Sequence, residues 1–450
     1  MADETKVGVA VSGGGHRAAL FGLGALLYLI DAGKGPQLGS ISSVSGGSLT
    51  NAHLGRIDLS TATPTQVWAH SRILARQLVR RGTLWAAPVT WLYLLSMPLL
   101  LVVAAIITCL GPDWAAWPAW VIAIASCAWL SQQRSAVAAL AFDSTFLNKT
   151  RLDALHGKVS HVMCASDIQT GQAVYFSRNF VYSWRSGWGT PGRLRAARAA
   201  QASAALPGAF SVVSLPLRRF GLPEARVADR TPPKRFMLLD GGVYDNMGSE
   251  WLLALSDRLG EGTPPVGLSA VSEVVVVNAS AGEGVTTRRG VRIPLVGELL
   301  SLLAVKDVMY RQTTAVRRRL LDVRYRIATS RDDIEVSAPI LSEALRGATI
   351  QIDRSPFTVV DAFRRGRPDD FSRRAAAALD LLGEDNRDFW STEAAANRAV
   401  KTTLSRIDSE RAQSLIRHAY VLAMVNTHVL LDYPLFDVPD SGRFAELVSK

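Results

Sequence analysis

Three glycine-rich turns hold the residue types that could do chemistry in this chain of 450 residues. They read SGGGHR at residues 12–17, SVSGGS at residues 43–48 and DGGVYDN at residues 240–246, and each follows an apolar run typical of a β-strand. Consecutive glycines in the first turn let the backbone approach a ligand closely, and the following helix would present its N-terminal N–H groups. Such a turn suits a phosphate site and an oxyanion hole equally well.

A dinucleotide site is one alternative for the first turn, because Gly13, Gly15 and Ala18 fit a GxGxxA pattern. That pattern needs an acidic residue roughly 20 residues further on, at the end of the second strand, to hold a ribose. The second strand-like run, residues 41–44, leads into the serine-rich turn instead. The dinucleotide interpretation therefore lacks its partner residue.

The second turn has the layout of a nucleophile elbow, in which a serine between a strand and a helix has small residues at positions −2 and +2. Ser45 has Gly47 at +2 and Ser43, rather than glycine, at −2. Ser48 is a second candidate, with Gly46 at −2 but a threonine at +2. We favour Ser45 as the nucleophile, and the alternative is an ordinary cap at the start of the helix.

A base for this serine is expected at Asp240, which ends an apolar strand and precedes Gly241 and Gly242. A carboxylate can act as a general base when its distance suits and desolvation raises its pKa. A histidine partner is less evident: His16 lies in the first glycine-rich turn, His53 and His70 lie on predicted helices, and the other histidines stand in no recognisable setting. Taken alone, a DGG sequence is more typical of a turn or a helix cap than of a catalytic base.

The three turns, together with ASAALPGAF at residues 202–210, occur in an order that resembles the patatin-like phospholipase family from about Lys6 to Asn278. The resemblance implies a patatin-like three-layer α/β/α sandwich and a Ser45–Asp240 dyad in place of a triad. The alternation of strand-like and helical segments itself predicts a mainly parallel central sheet covered on both faces.

The resemblance also implies roles for the residues around the dyad. The oxyanion hole would be formed by the backbone N–H groups of Gly13, Gly14, Gly15 and Gly46. Asp245 would stabilise its own turn, and the other supporting residues would be Arg17, Gly47, Gly241 and Gly242. No cofactor and no metal ion is implied. Two features depart from the family pattern, namely Ser43 in place of glycine and an apolar insertion between the elbow and the aspartate.

The apolar insertion, residues 84–131, predicts a transmembrane helical hairpin. Residues 84–110 and 114–131 contain no charged side chain, and about 20 apolar residues suffice to cross a bilayer. The flanking positive charges are Arg72, Arg76, Arg80, Arg81 and Arg134. By the positive-inside rule, the catalytic domain and both termini are cytoplasmic. The alternatives are a helical pair buried in a soluble core and a re-entrant hairpin.

Composition narrows the class of partner. The net charge of +11 suits nucleic acid or an anionic lipid surface. With the hairpin, we expect membrane lipid as substrate and the bilayer as partner, and no nucleic acid. The three cysteines form no CxxC pair, which argues against a disulfide framework or a zinc site. The polar N-terminus predicts no cleaved signal peptide.

The predicted organisation has four parts: a first part of the catalytic domain at residues 1–70, the hairpin at 84–131, a second catalytic part at 140–285, and a mostly helical C-terminal extension of unclear role at 286–450. The expected activity is that of a lipid acyl hydrolase, resembling a phospholipase A or lysophospholipase. The alternatives are an acyl thioesterase or protein–lipid esterase, and a catalytically silent membrane scaffold or sensor on the same fold.

Overall fold

Valine-rich runs form two central strands of this chain, VGVAV and EVVVVN, and the first of them ends at the first glycine-rich turn. The computed structural model describes residues 6–223, 233–280, 296–329, 344–364 and 369–449. Strands β1 to β10 span Val7–Val11, Leu38–Val44, Ser160–Asp167, Gln172–Phe176, Val181–Ser183, Gly187–Gly189, Val213–Pro216, Arg235–Asp240, Glu273–Asn278 and Arg346–Gln351. Helices α1 to α16 span Gly15–Asp31, Gly46–Leu54, Pro64–Arg80, Pro88–Leu110, Asp113–Ser131, Arg134–Phe142, Ala196–Ser203, Gly242–Asp245, Glu250–Leu253, Leu255–Leu259, Val296–Thr329, Phe357–Arg364, Asp370–Leu382, Arg387–Ala399, Ser409–Leu431 and Ser441–Val448.

One mixed sheet of ten strands forms the centre of the described chain. Strands β10, β9, β1, β2 and β3 are neighbours in that order and run parallel. Strands β4, β5 and β6 continue the sheet with antiparallel pairing, and β8 pairs antiparallel with both β3 and β7. The prediction of a mainly parallel sheet is therefore wrong for half of the strands. The reason is that short turns join β3 to β4 and β4 to β5, whereas a parallel connection needs about a dozen residues or more.

Helices cover both faces of the sheet, because successive residues of each central strand point to opposite sides. In β9, Val275 and Val277 belong to a core shared with α1 and α15. The intervening residues, Val274 and Val276, pack instead in a core with Trp251 and the C-terminal part of α11. The predicted helical cover of both faces is present.

Helices α4 and α5 form an apolar antiparallel hairpin whose side chains are mostly exposed. Both helices are long and apolar enough to cross a membrane, and only 6% of the most apolar 18-residue window of each is buried. Leu92 and Trp114, for example, are exposed over 69% and 77% of their surface. A helical pair buried in the protein core does not fit these exposures.

The last third of the chain packs into the same core as the first. Strand β10 extends the parallel edge of the sheet beside β9, and α15 lies along α1. The two helices approach closely at Gly24, where any side chain would overlap the carbonyl of Ile416. Nearby, the rings of Tyr28 and Tyr420 meet edge to face at 5.6 Å. This packing brings residues 400–405, between α14 and α15, to the first glycine-rich turn.

Candidate active site

Strands β2 and β8 end beside each other at one edge of β3. Strand β2 pairs with β3 as far as Val44, which lies opposite Cys164. From the next position of β3 onwards the partner is β8, whose Asp240 lies opposite Ala165. Strand β4 pairs with β3 over the same positions, so it occupies the other edge of β3. Strands β2 and β8 therefore share an edge and meet end to end. Successive positions of a strand are about 3.3 Å apart, which brings Asp240 close to the turn that carries Ser45.

Ser45 lies at the turn from β2 into α2 with φ 51° and ψ −118°, a conformation that residues with a side chain rarely adopt. The two residues after it must be small. A side chain on Gly46 would overlap the carbonyl of Gly15, and one on Gly47 would lie 2.7 Å from the carbonyl oxygen of Val11. Close packing against the first glycine-rich turn thus explains the glycines of the elbow.

A segment within the ASAALPGAF sequence holds Ser45 and Asp240 together. The carbonyl oxygen of Ser203 accepts hydrogen bonds from the N–H groups of Ser45 at 3.2 Å and of Gly241 at 3.1 Å. The N–H group of Asp240 donates to the carbonyl oxygen of Ala205 at 2.9 Å. Asp240 itself is buried, with 1% of its surface exposed. One short stretch of backbone therefore fixes the relative position of the two residues.

Two helix N-termini converge beside Ser45. Gly14 and Gly15 have φ values of 144° and 60°, which favour glycine. Gly15 and Gly46 open α1 and α2, so their N–H groups have no acceptor within their helices, and no other acceptor for these groups or for that of Gly14 lies among the described residues. The N–H group of Gly13, by contrast, donates to the carbonyl oxygen of Asn246 at 2.9 Å. Gly13 is therefore left out of the proposed oxyanion hole, which keeps Gly14, Gly15 and Gly46.

The first glycine-rich turn is braced by the segment between α14 and α15. The backbone N–H of His16 donates to the carbonyl oxygen of Thr403 at 2.9 Å, and its Nδ1 donates to that of Ser405 at 2.7 Å. Arg17 donates from Nη1 to the carbonyl oxygen of Val400 at 2.6 Å. Burial lowers the pKa of His16 to about 4 and the pKa of Arg17 to about 10. At neutral pH, His16 is therefore neutral and Arg17 remains charged, and both hold the turn through backbone carbonyls.

A cavity of about 830 Å³ contains Ser45, Asp240 and the first glycine-rich turn in its wall. Its apolar lining includes Leu84, Trp85, Leu206, Ala209, Phe210 and Leu404. None of the seven histidines lines this cavity, although all seven lie in the described parts of the chain. The site therefore offers the serine a carboxylate and no imidazole.

Comparisons with known proteins give only distant similarities. A human GIVD cytosolic phospholipase A2 aligns over 62% of this chain and 46% of its own, with 16% identity and a TM-score of 0.36. A structure of the same human enzyme with methyl gamma-linolenyl fluorophosphonate and terbium chloride aligns over 99% and 60%, with 14% identity and a TM-score of 0.39. VipD from Legionella pneumophila aligns over 99% and 90%, with 11% identity and a TM-score of 0.27.

The chain spans about half to three fifths of the length of the phospholipase A2 chains that it matches. No family model matches this chain, and no curated protein does. At these identities and TM-scores, the likeness does not identify the family of the chain.

A row of hydroxyl groups runs behind the elbow. The N–H group of Ser45 donates to Oγ of Ser203 at 3.0 Å, and Oγ of Ser203 lies 2.9 Å from Oγ of Ser48. Ser48 donates to Oγ of Ser43 at 3.0 Å, and Ser43 donates to the carbonyl oxygen of Val162 at 2.9 Å. With Ser203 as donor to Ser48, all four bonds point the same way and each hydroxyl proton is used. Ser43, which departs from the family pattern, is thus part of the support for Ser45.

Asp245 is engaged on the far side of the third turn. Its carboxylate accepts hydrogen bonds from the N–H groups of Met247 at 3.0 Å and Glu250 at 2.7 Å, and it lies 3.4 Å from Nε of Arg317. Burial raises the pKa of Asp245, and the charge of Arg317 opposes that rise. Through these contacts, Asp245 holds the third turn against α9 and α11.

Several residues of the cavity wall were not singled out as site residues from the sequence, among them Asn246, Tyr310 and Thr403. Asn246 donates from Nδ2 to Oγ of Ser280 at 2.7 Å, and its position within DGGVYDN was a signal that could have revealed it. Tyr310 of α11 lies against Gly242, and Thr403 covers the first turn. These last two come from the C-terminal third, which has no matching motif. Within the described residues, no group of three or more His, Cys, Asp or Glu side chains could hold a metal ion.

Proposed function

We propose that this chain is a serine acyl hydrolase of the patatin-like phospholipase type, which cleaves ester bonds of lipids in the membrane that holds its hairpin. One observation carries the proposal. A serine in a strained strand-to-helix turn and a buried aspartate end adjacent strand segments, in the wall of one cavity, where two helix N-termini also converge. That combination supplies a nucleophile, a base and donors for an oxyanion.

The reaction follows from these positions. Asp240 accepts the hydroxyl proton of Ser45 as Oγ attacks the ester carbonyl, and the carbonyl oxygen becomes an oxyanion. The N–H groups of Gly14, Gly15 and Gly46 donate to this oxyanion; losing one such donor typically costs on the order of a hundredfold or more in rate. The C–O bond to the alcohol then breaks, and Asp240 returns the proton to the leaving oxygen.

Deacylation repeats the same steps with water. Asp240 takes a proton from a water molecule, whose oxygen attacks the acyl–Ser45 carbonyl. The tetrahedral intermediate collapses to a free fatty acid, and the proton returns to Oγ of Ser45. The N–H group of Gly242 donates to Oδ1 of Asp240 at 2.8 Å, which fixes the orientation of the carboxylate through both halves of the reaction.

Membrane lipid is the substrate class favoured by the surroundings of the cavity. Leu84 and Trp85 line it, and α4 begins only three residues later at Pro88. Trp85 and Trp91 lie together, with ring centroids 5.7 Å apart, and indoles favour the headgroup region of a bilayer. If the hairpin spans the bilayer with its arginine flanks in the cytoplasm, the catalytic domain sits at the cytoplasmic surface.

Labelling with a fluorophosphonate probe tests the nucleophile. The purified full chain should react covalently, Ser45→Ala should abolish the reaction, and Ser48→Ala should retain it because that hydroxyl is buried behind the elbow. Asp240→Asn should slow labelling by about a hundredfold or more. Labelling of Ser45→Ala at the rate of the natural chain would overturn the proposal.

Mass spectrometry of lipids tests the substrate class. Membranes incubated with the natural chain should accumulate free fatty acid and lysolipid, and membranes incubated with Ser45→Ala should not. Cleavage of acyl thioesters without cleavage of phospholipids would reassign the substrate. Absence of both probe labelling and hydrolysis would favour a silent scaffold. Release of the chain from detergent-free membranes by high salt would refute the spanning hairpin.

A further inference from the structure

Helix α11 presents an apolar face to solvent. Its exposed apolar side chains are Val305, Val308, Met309, Val316, Leu320 and Val323. At 3.6 residues per turn, these positions fall within an arc of about 120° and extend over about 27 Å of helix. A surface helix of a soluble protein usually shows the opposite distribution, with its apolar stripe towards the core. Exposed apolar patches of this extent mark sites of interaction.

The opposite face of α11 holds the helix in place, so the outward face is set by packing. Leu321 and Tyr325 are buried on that side, and the hydroxyl of Tyr325 donates to the carbonyl oxygen of Val274 at 2.9 Å. Arg317 pairs on the same side with Asp245 at 3.4 Å and also with Glu250. Rotation of the helix to bury the apolar stripe would break these contacts.

The same helix forms part of the wall of the catalytic cavity. Tyr310, Thr314, Ala315 and Arg318 line the cavity that contains Ser45. The residues that lead into the apolar hairpin line it as well. Helix α11 and the base of the hairpin therefore both border one cavity, and α11 does so with the side that lies largely opposite its apolar stripe.

We infer that the outward face of α11 docks on the anionic surface of the bilayer in which the hairpin is anchored, with the catalytic cavity between these two contacts. The inference rests on the proposed function for its anchor. It deepens that function, because a cavity bordered by two bilayer contacts would receive lipid directly from the headgroup layer. An amphipathic helix binds such a surface through buried apolar area together with attraction to anionic lipids.

Charge favours a lipid occupant over a second copy of the chain. Arg319 and Arg326 are exposed and lie on the same face as the apolar stripe, about 40° and 60° from its centre and towards one edge. A second copy docked on the same face would bring these arginines near their own equivalents. A layer of anionic headgroups would instead attract each of them by about 1 kcal/mol.

Fluorescence quenching tests the docking. Val316→Cys, in a full chain whose Cys109 and Cys127 are replaced by alanine, is labelled with an environment-sensitive dye and reconstituted in vesicles of phosphatidylcholine and phosphatidylserine. A nitroxide attached to lipid near the headgroup should quench this dye, and a water-soluble nickel complex should not. The matched control is Val266→Cys, at a residue that is 98% exposed outside α11, where the opposite result is expected.

Two outcomes would overturn the inference. One is equal quenching of the dyes at positions 316 and 266 by the aqueous complex, which would leave α11 in water. The other is protection of position 316 from both quenchers, which would show that protein covers it. Arg319→Gln and Arg326→Gln should each lower the docking equilibrium about fivefold, the equivalent of 1 kcal/mol, in anionic vesicles. Unchanged docking in these variants would refute the role of the charges.

The readout does not depend on turnover. The docked state should be the same in Ser45→Ala, so a chain that docks but fails to react with fluorophosphonate would refute the proposed function and leave the docking surface intact. A chain that reacts normally with fluorophosphonate but leaves position 316 exposed to water would refute the docking surface and leave the proposed function intact.

Discussion

Replacing Ser43 with glycine should destabilise the protein by about 1.5–4 kcal/mol, although glycine is the usual residue of the patatin-like pattern two positions before the nucleophile. Ser43 is the last side chain of the hydroxyl row behind Ser45, and it is buried. If the hydroxyl of Ser43 is removed, a water molecule could not take its place beside its hydrogen-bond partners unless the core rearranged.

The magnitude comes from those partners. The hydroxyl of Ser43 donates to the carbonyl oxygen of Val162 at 2.9 Å and accepts from Oγ of Ser48 at 3.0 Å and from Nδ2 of Asn51 at 2.8 Å. Asn51 keeps two backbone acceptors, one of them Val162, and Ser48 keeps Ser203, so the loss is partial. Leaving buried groups with fewer partners costs about 1–3 kcal/mol. Glycine within a strand adds about 0.5–1 kcal/mol through backbone entropy.

Thermal unfolding of the full chain in detergent measures the effect. A chain of this length unfolds with an entropy of about 0.9 kcal/mol/K, so the expected decrease in Tm is about 2–4 °C. Ser43→Ala is the matched control, because it removes the hydroxyl but keeps the β-carbon, and its Tm should lie between those of glycine and serine. A Ser43→Gly chain as stable as the natural one would refute the reasoning, since the hydroxyl row would then contribute nothing.

Three further changes have defined outcomes. Gly46→Ala should reduce fluorophosphonate labelling at least a hundredfold, because its methyl group would overlap the carbonyl of Gly15 beside the oxyanion donors. The free energy of unfolding should fall as pH decreases from 6.5 towards 4, because His16 takes up a proton in the unfolded chain in that window but not in the folded one. In His16→Gln this loss of stability, measured by circular dichroism melts, should be smaller by up to about 3 kcal/mol. Arg317→Gln should cost about 3 kcal/mol in denaturant unfolding by leaving buried Asp245 without its cation, and Arg317→Lys should recover part of that loss.

Local patterns predicted the strand-to-helix turns, because glycine spacing and apolar runs report directly on nearby backbone. The mixed character of the sheet could have been inferred from the short segments around residues 168–171 and 177–180, which leave no room for a crossover. The meeting of Val44 and Asp240 on one edge of β3 is different. It depends on strand register over almost two hundred residues, and no local signal encodes that register.

The contribution of the C-terminal third was hidden for another reason. The carbonyl groups of Val400, Thr403 and Ser405 brace the first turn, and a backbone carbonyl has no residue type to recognise. In α11 the apolar spacing is visible, but a single helix does not reveal which face is buried. The burial of Leu321 and the contacts of Arg317 and Tyr325 settle its orientation.

The apolar insertion between the two proposed catalytic residues is fastened to the site at both of its ends. Where the chain enters the hairpin, the hydroxyl of Thr83 lies 3.0 Å from Nε2 of His16, in the first glycine-rich turn. Where it leaves, the N–H of Ser135 donates to Oγ of Ser211 at 3.2 Å, and Ser211 directly follows the ASAALPGAF sequence whose Ser203 and Ala205 contact the backbones at Ser45 and Asp240. The depth of a spanning hairpin would therefore set the depth of the site itself. If the hairpin spans a bilayer as proposed, these two attachments would make it the element that fixes the position of Ser45 relative to the lipid surface.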